Sequence, residues 1–443
     1  MSLNKANSVY FIGIGGIGMS ALARYCLMLG KNVIGYDRTK NAICEALENE
    51  GVEIVYDLDL STLTKCHESS TLVIYTPAVN KANPLLIHAL ENYTCLKRSQ
   101  LLGEISKNHT CIAVAGTHGK TSTSAILAYL LKQNNKKIIA FVGGIMQDFG
   151  SNYLADPEAE IMVVEADEFD RSFLHLDVDH AIITTSDPDH LDIYGSEAEF
   201  KATFKEFASK VKSTLWVEQN VKEALDLNCN VYNQASLQLT EGTSLFNYVA
   251  PNFSLSWNIP GKHNAANAYA VNQLLNSIFE QEDLNLSLNN YRGVYRRFNT
   301  YQIKDHVVVD DYAHHPTELE ASISALKTHF LGKKITVVFQ PHLYSRTKDF
   351  LAEFANQLSR VDCLFLLPVY AAREEVIQGG ESKDLFQIIE LDNKVLCEKT
   401  TLYTDLVKQI SEPTVFAFLG AGDIDAMVKP FVKLLEKEVS NVA

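Results

Sequence analysis

The stretch that most constrains this 443-residue chain is residues 111–131, CIAVAGTHGKTSTSAILAYLL. Its apolar, β-branched opening at 112–114 predicts a buried strand. A tight loop follows, Gly116-Thr117-His118-Gly119-Lys120-Thr121, and then helical spacing through Ser124, Leu127 and Leu131. Strand, glycine loop and helix in that order bring backbone N–H groups and a positive helix end to one point, which is a cradle for an anion. Lys120 adds a point charge for the β- and γ-phosphates of a nucleotide, and Thr121 a hydroxyl oxygen for Mg²⁺. The plainer reading is a helix start capped by Thr117 or Ser122, with Lys120 in solvent. The GKT run between a strand and a helix favours phosphate. A full phosphate loop of this kind has glycine at position 114; Val114 makes this one a shortened variant.

The length suggests about three domains, each able to bury a core. A net charge of −15 argues against nucleic acid or an anionic membrane as the main partner. No apolar run reaches the ~20 residues of a membrane span. The opening residues lack the basic region and cleavage site of a signal peptide, so a cytoplasmic enzyme is expected. Eight cysteines, at 26, 44, 66, 95, 111, 229, 363 and 397, have no paired spacing. They read as reduced core residues, not as a metal site or a disulfide framework.

The pattern predicts an α/β protein of three domains, at 1–106, 107–294 and 295–443. In the first, strands are expected at 9–14, 33–36, 53–55 and 72–75, with a helix at 19–29. Between first strand and helix lies Gly13-Ile14-Gly15-Gly16-Ile17-Gly18, with Asp37 nineteen residues later. On spacing alone this is a dinucleotide fingerprint, and an NAD-dependent oxidoreductase is one reading. The glycines would equally admit the diphosphate of a nucleotide sugar. In the middle domain, strands at 161–164 and 181–185 run into Glu165-Ala166-Asp167-Glu168 and Asp187-Pro188-Asp189-His190-Leu191-Asp192. Carboxylates at those strand ends can complete a Mg²⁺ shell begun by Thr121 and the phosphates. Pro260-Gly261-Lys262-His263-Asn264 opens a helix with Asn267 one turn on; capping accounts for Asn264 but not for Asn267. The third domain alternates strands at 307–309, 335–339, 363–367 and 415–419 with helices, predicting a mostly parallel sheet. Asp310-Asp311-Tyr312-Ala313-His314-His315-Pro316-Thr317-Glu318 follows its first strand, with Thr317 a candidate helix cap. Gln340-Pro341-His342-Leu343-Tyr344-Ser345-Arg346 follows its second.

Eight of these motifs, in this order, give the chain its likeness to a known family. IGIGGIGMSALA at 12–23, AGTHGKTSTS at 115–124, EADE at 165–168 and DHLD at 189–192 come first. GKHNAANA at 261–268, RRF at 296–298, DDYAHHPTE at 310–318 and HLYSRT at 342–347 complete the set. With them the chain resembles the Mur ligases over essentially its whole length. The resemblance implies an N-terminal Rossmann-like domain for a UDP-sugar, a central P-loop ATPase-like sheet, and a C-terminal Rossmann-like domain that closes over the site. It implies ATP-dependent ligation, through an acyl phosphate, of L-alanine to UDP-N-acetylmuramate in peptidoglycan synthesis, with two Mg²⁺ ions as cofactor. The rival within the family is the recycling ligase that attaches a ready-made tripeptide. The IGGIGMSALA turn favours the alanine-adding branch.

Carried over residue by residue, the resemblance gives Gly116, Thr117, His118, Gly119, Lys120, Thr121, Ser122, Asn264, Asn267 and Arg297 to ATP. It gives Gly15, Gly16, Ile17, Gly18, Asp37 and His118 to the UDP-substrate, and Tyr312, His314, His315 and Arg346 to the amino acid. Thr121, Glu165 and His190 would hold metal, and Lys120, Glu165, His190, His314 and Arg346 would carry the chemistry. Two departures stand out. Ser186 occupies a position where relatives have an amide, and Phe204, flanked by Lys201 and Lys205, occupies the one where later-acting relatives carry a carbamylated lysine.

Overall fold

The computed structural model describes residues 2–188, 191–240, 245–372 and 374–441. Asp189 and the expected metal ligand His190 lie outside them. The chain divides into two compact units: Met1–Ser236, Ala250–Ser254 and Ala266–Arg292 form the first, and Leu237–Val249, Leu255–Ala265 and Gly293–Ala443 the second.

The first unit holds two sheets. β1 (Ser8–Ile12), β2 (Asn32–Tyr36), β3 (Glu53–Val55), β4 (Thr71–Tyr75) and β5 (Thr94–Lys97) form a parallel sheet in the order β3-β2-β1-β4-β5. Val9, Tyr10, Phe11 and Ile12 are fully buried, as expected of a central strand covered on both faces. β1 stops at Ile12, two residues short of the predicted end, because Gly13 turns into the left-handed region at φ 88°. Helix Ile17–Met28 therefore begins early, with Gly16 at its N-cap. The strand order reverses between β1 and β4, and the glycine loop leaves β1 at that switch point.

β6 (Thr110–Ala115), β7 (Ile138–Met146), β8 (Ser151–Ala155), β9 (Ile161–Glu165), β10 (His180–Ile183), β11 (Thr214–Glu218) and β12 (Asn230–Tyr232) build the second sheet, ordered β12-β11-β10-β6-β9-β7-β8. β8 runs antiparallel to β7 at the edge; the other pairings are parallel. β6 lies between β9 and β10, with Val114 opposite Glu165 and Ala115 opposite Ile183. That register sends the phosphate loop and both acidic segments out of the same edge. The two sheets share one apolar core, in which Phe11, Leu22 and Leu101 join Cys111, Phe141 and Val164.

β13 (Gln238–Thr240), β14 (Phe246–Ala250) and β15 (Phe253–Trp257) make a small sheet that the sequence pattern did not predict. The last sheet, in the second unit, contains β16 (Asn299–Ile303), β17 (His306–Asp311), β18 (Lys334–Phe339), β19 (Cys363–Leu366), β20 (Lys394–Leu396) and β21 (Thr414–Leu419), ordered β16-β17-β21-β18-β19-β20. It is parallel except for β16, which like β20 was not predicted. Asp311, Leu419 and Phe339 stand in register on adjacent strands, so the segments that begin at Tyr312, Gln340 and Gly420 leave one edge. Helix Pro316–His329 starts with Pro316 in its first turn, as expected, but its N-cap is His315 and not Thr317. All eight cysteines are free thiols, five of them buried.

Candidate active site

The loop after β6 is fixed by the segment after β10. Thr117 Oγ1 donates to the Asp187 carbonyl at 2.7 Å, the His118 N–H donates to Thr185 Oγ1 at 2.8 Å, and Thr184 Oγ1 donates to the His118 carbonyl at 2.5 Å. Gly116, at φ 134°, makes this approach possible: a Cβ there would lie 2.1 Å from Thr184 Oγ1. Helix Lys120–Gln133 then begins from Gly119 in the left-handed region, and no side chain caps it. Neither Thr117 nor Ser122 is the cap that the plainer sequence reading required. Asn267, buried on helix Lys262–Ile278, packs beside Gly119; a Cβ on Gly119 would stand 2.8 Å from its Oδ1.

Lys120 is not in solvent. Its ammonium donates to the Gly116 carbonyl at 2.6 Å, to the Thr117 carbonyl at 3.2 Å, and to both Glu168 oxygens at 2.9 and 2.6 Å. The two side chains are 14% and 3% exposed, so this is a buried ion pair. Burial works against the ammonium, but Glu168, Asp167 and Glu165 together outweigh it and keep the lysine charged. Burial pushes Glu168 up to about 7, with Lys120 pulling the other way.

Glu165 closes β9 beside this pair. Thr121 Oγ1 donates to Glu165 Oε1 at 2.9 Å, and the Gly143 N–H donates to Oε2 at 2.6 Å. The backbone of Gly143 lies so close that a Cβ would stand 2.5 Å from Oε2. A hydroxyl and a carboxylate oxygen fit a hard cation such as Mg²⁺. Among the described residues no group of three or more His, Cys, Asp or Glu side chains is placed to hold a metal. A magnesium ion here would take its other ligands from phosphate and water, as that ion commonly does.

The acidic segment also reaches the first sheet's domain. Asp167 pairs with Arg98 at 2.8 Å, and Asp170 with Lys97 at 2.8 Å. Asp170 and Arg171 both take left-handed backbone, at φ 53° and 54°. The Tyr194 hydroxyl donates to the Glu168 carbonyl at 2.5 Å. At the other glycine loop, the Gly15 N–H donates to Asp37 Oδ2 at 2.8 Å, and Asn41 Nδ2 donates to the Gly15 carbonyl at 3.3 Å. Gly16, Ile17 and Gly18 form the start of helix Ile17–Met28, which no side chain caps.

In the second unit, Glu318 accepts from the N–H groups of His314 at 3.0 Å and His315 at 3.2 Å. His314 Nδ1 lies 2.9 Å from the Tyr312 carbonyl and 3.1 Å from Glu318 Oε2. His315 Nδ1 accepts from the Thr317 N–H at 3.4 Å, so this imidazole is occupied as a helix cap. The guanidiniums of Arg296 and Arg297 lie 4.9 and 5.0 Å from the Tyr312 ring centre, within cation–π range. Arg346 is buried in the short helix Tyr344–Asp349. Asn264 is not a cap: its amide donates to the Pro260 carbonyl at 2.8 Å from inside the first turn.

The fold therefore brings together Gly116 to Thr121, Glu165 and Asn267 in the first unit, and Arg297, Tyr312, His314 and His315 in the second. Reasoning from sequence missed Gly143, Tyr194 and Arg98, which gave no local signal; it flagged Glu168 in the acidic run without naming its partner.

Three family models match the chain: "Mur ligase family, catalytic domain" over residues 8–110, "Mur ligase middle domain" over 114–275, and "Mur ligase, glutamate ligase domain" over 296–422. The chain is 42% identical to the UDP-N-acetylmuramate–L-alanine ligase of Christiangramia forsetii, covering 98% of this chain and 99% of that one. It is also 42% identical to the enzyme of the same name from Flavobacterium psychrophilum, over 99% and 100%. The crystal structure of the UDP-N-acetylmuramate–alanine ligase from Thermotoga maritima superposes with a TM-score of 0.80 at 28% identity, covering 97% of this chain and 99% of that one. A murein peptide ligase from Psychrobacter arcticus shares the fold, with a TM-score of 0.67 at 19% identity.

Proposed function

The chain belongs to the Mur ligase family, and from that premise we propose that it joins L-alanine to the carboxylate of UDP-N-acetylmuramate at the expense of ATP. The observation that carries this reading is the full-length likeness, at 42% identity, to ligases named for that reaction. The buried lysine on a glycine loop is what such a reaction requires. A carboxylate is a poor electrophile, so its oxygen first attacks the γ-phosphorus of ATP, ADP leaves with the bridging oxygen, and an acyl phosphate results; the amine then attacks the acyl carbon and phosphate leaves. Bringing two anions together needs positive charge at the loop, which Lys120 and the helix start supply.

In this reading, residues 1–106 hold the UDP-substrate through Gly15, Gly16, Ile17, Gly18 and Asp37, with His118 contributing from the phosphate loop. Residues 107–294 hold ATP through Gly116 to Ser122 and Asn267, and residues 295–443 serve the amino acid through Tyr312, His314, His315 and Arg346. Asn264 and Arg297 are assigned to ATP. Thr121 and Glu165, and His190 outside the described residues, would hold Mg²⁺, which supplies charge neutralisation at the phosphates. His314, whose ring meets a carbonyl and a carboxylate, is favoured over the capping His315 as acceptor of the ammonium proton. The reaction is assigned to the cytoplasm; among the described residues no helix is long and apolar enough to cross a membrane.

The test is phosphate release with UDP-N-acetylmuramate, ATP and a panel of amino acids. Release that requires both the UDP-sugar and L-alanine is expected. Preference for the murein tripeptide over L-alanine would move the assignment to the recycling branch, and stoichiometric NAD binding without ligation would overturn it.

A further inference from the structure

The ion pair at the phosphate loop has a consequence beyond the assigned roles. Lys120 directs its N–H groups to Gly116, Thr117 and Glu168, so a phosphate that uses this lysine must displace a partner. The two carbonyls belong to the loop itself and are fixed by its fold. Glu168 arrives from another segment and is the displaceable partner. It is 2% exposed, and its backbone is held by the Tyr194 hydroxyl. The segment around it is anchored on both sides, by Asp167 to Arg98 and by Asp170 to Lys97.

We propose that Glu168 is a positioning residue that stands in for the nucleotide phosphate, holding Lys120 within the loop in nucleotide-free protein and yielding it when the phosphates bind. The inference rests on the reading of Gly116 to Thr121 as the ATP site. The physical case is one of charge. A buried ammonium without an anion is strongly destabilising, so the nucleotide-free protein needs a carboxylate here. Once phosphate binds, that carboxylate becomes a second anion on one lysine and opposes the ligand. Glu168 therefore stabilises the nucleotide-free protein and weakens nucleotide binding. Glu165, with Thr121 and Gly143 as its partners, has a different role.

The experiment compares wild type with Glu168→Gln, which keeps the shape and removes the charge. Two quantities are measured on the full chain: the Tm without nucleotide, and the Kd for MgADP by calorimetry. The expected result has opposite signs, a lower Tm with roughly tenfold tighter MgADP, the size following from loss of one like charge near the phosphates. A residue of purely structural importance would lower the Tm and weaken binding together, and that outcome overturns the proposal. Unchanged affinity also overturns it. Weaker binding at normal Tm would place Glu168 with the metal ligands instead. Absence of MgADP binding by wild type would overturn the ATP-site reading itself, which separates that failure from this one. If Glu168→Gln does not fold, Tyr194→Phe decides: it loosens the backbone that carries Glu168 and should tighten MgADP about two- to threefold, the release of a single hydrogen bond. No tightening in that variant overturns the proposal.

Discussion

The two glycine loops of the first unit make an instructive pair. Each leaves the C-terminal end of a parallel strand at a point where its sheet changes direction, and each opens a helix that no side chain caps. Each also has a carboxylate turned inward on it. At Gly15 that carboxylate, Asp37, accepts from a backbone N–H, and no lysine is present in the loop. At Gly116 to Thr121 it is Glu168, and its partner is the ammonium of Lys120. The backbone geometry is shared while the charge differs. A loop with only amides and a helix end suits a diphosphate that is held and never cleaved. A loop with a buried cation suits a phosphoryl group that is transferred, where charge must be met as it moves.

The most severe way to break this contrast is Lys120→Ala. Turnover is expected to fall by roughly 10²–10³ or more, the usual effect of losing a charge contact at a transferring group. Circular dichroism should show an intact fold, because Glu168, raised to about 7, can take up a proton when its partner is gone. Near-normal turnover in a folded variant would remove the distinction between the loops. Next in size is Glu165→Gln. Charge at the Thr121–Glu165 pair should set the Mg²⁺ requirement, so the magnesium concentration for half-maximal rate should rise about 10–100-fold, with partial rescue by excess metal. A rate loss that no magnesium concentration repairs would point to a role other than metal binding.

The first loop is tested by Gly16→Leu. Gly16 has ordinary backbone at φ −72°, and a Cβ there meets nothing closer than 3.6 Å, so the fold itself tolerates a side chain. Any defect then reports on the ligand. The KM for UDP-N-acetylmuramate should rise at least about tenfold, as expected where a backbone must approach a diphosphate closely, while the ATP KM stays put. Equal changes in both constants would mean that the loops do not divide the substrates. The smallest effect is expected from Asp37→Asn, which keeps an acceptor for the Gly15 N–H at 2.8 Å but removes the charge. A change within about threefold in the UDP-substrate KM follows from the modest net worth of one hydrogen bond. A hundredfold loss would show that Asp37 meets the ligand directly.

Much of this contrast was legible in the chain itself. Apolar β-branched runs located central strands such as β1, β6, β9, β10, β17, β18 and β21, because strands buried on both faces cannot hide their composition; the pattern did not single out β5, β7, β8, β11 or β12. Glycine spacing located both loops. The loops' inward partners were not legible. Nothing local to Glu168 announces Lys120, 48 residues earlier, and no glycine announces the left-handed backbone at Asp170 and Arg171 that follows it. Gly143 lies in the interior of a strand, where a glycine usually reads as weakness, and its use became visible only with the Glu165 carboxylate packed against it. The capping place of His315 was not legible because histidine is an unusual cap; the standard preference pointed to Thr317. Short edge strands such as β13, β16 and β20 carry too few buried residues to print a pattern.

Asn152, on β8, has an amide that donates to the Ile17 carbonyl at 2.6 Å and to Ser20 Oγ at 3.3 Å, while its own carbonyl accepts from Arg24 at 2.9 Å. It is fully buried, and all three contacts fall on the helix that follows the first glycine loop. An edge strand of one sheet is thus bolted to the leading helix of the other, over a continuous apolar core. Opening that helix to solvent would strip β8 of its cover, so neither sheet can melt while its neighbour stays whole. Amide protons on the helix and on the second sheet's strands should consequently exchange with deuterium at a common slow rate, as one cooperative foldon. A fragment ending after β5 would lose that partner surface, and the first glycine loop is therefore not a portable cassette.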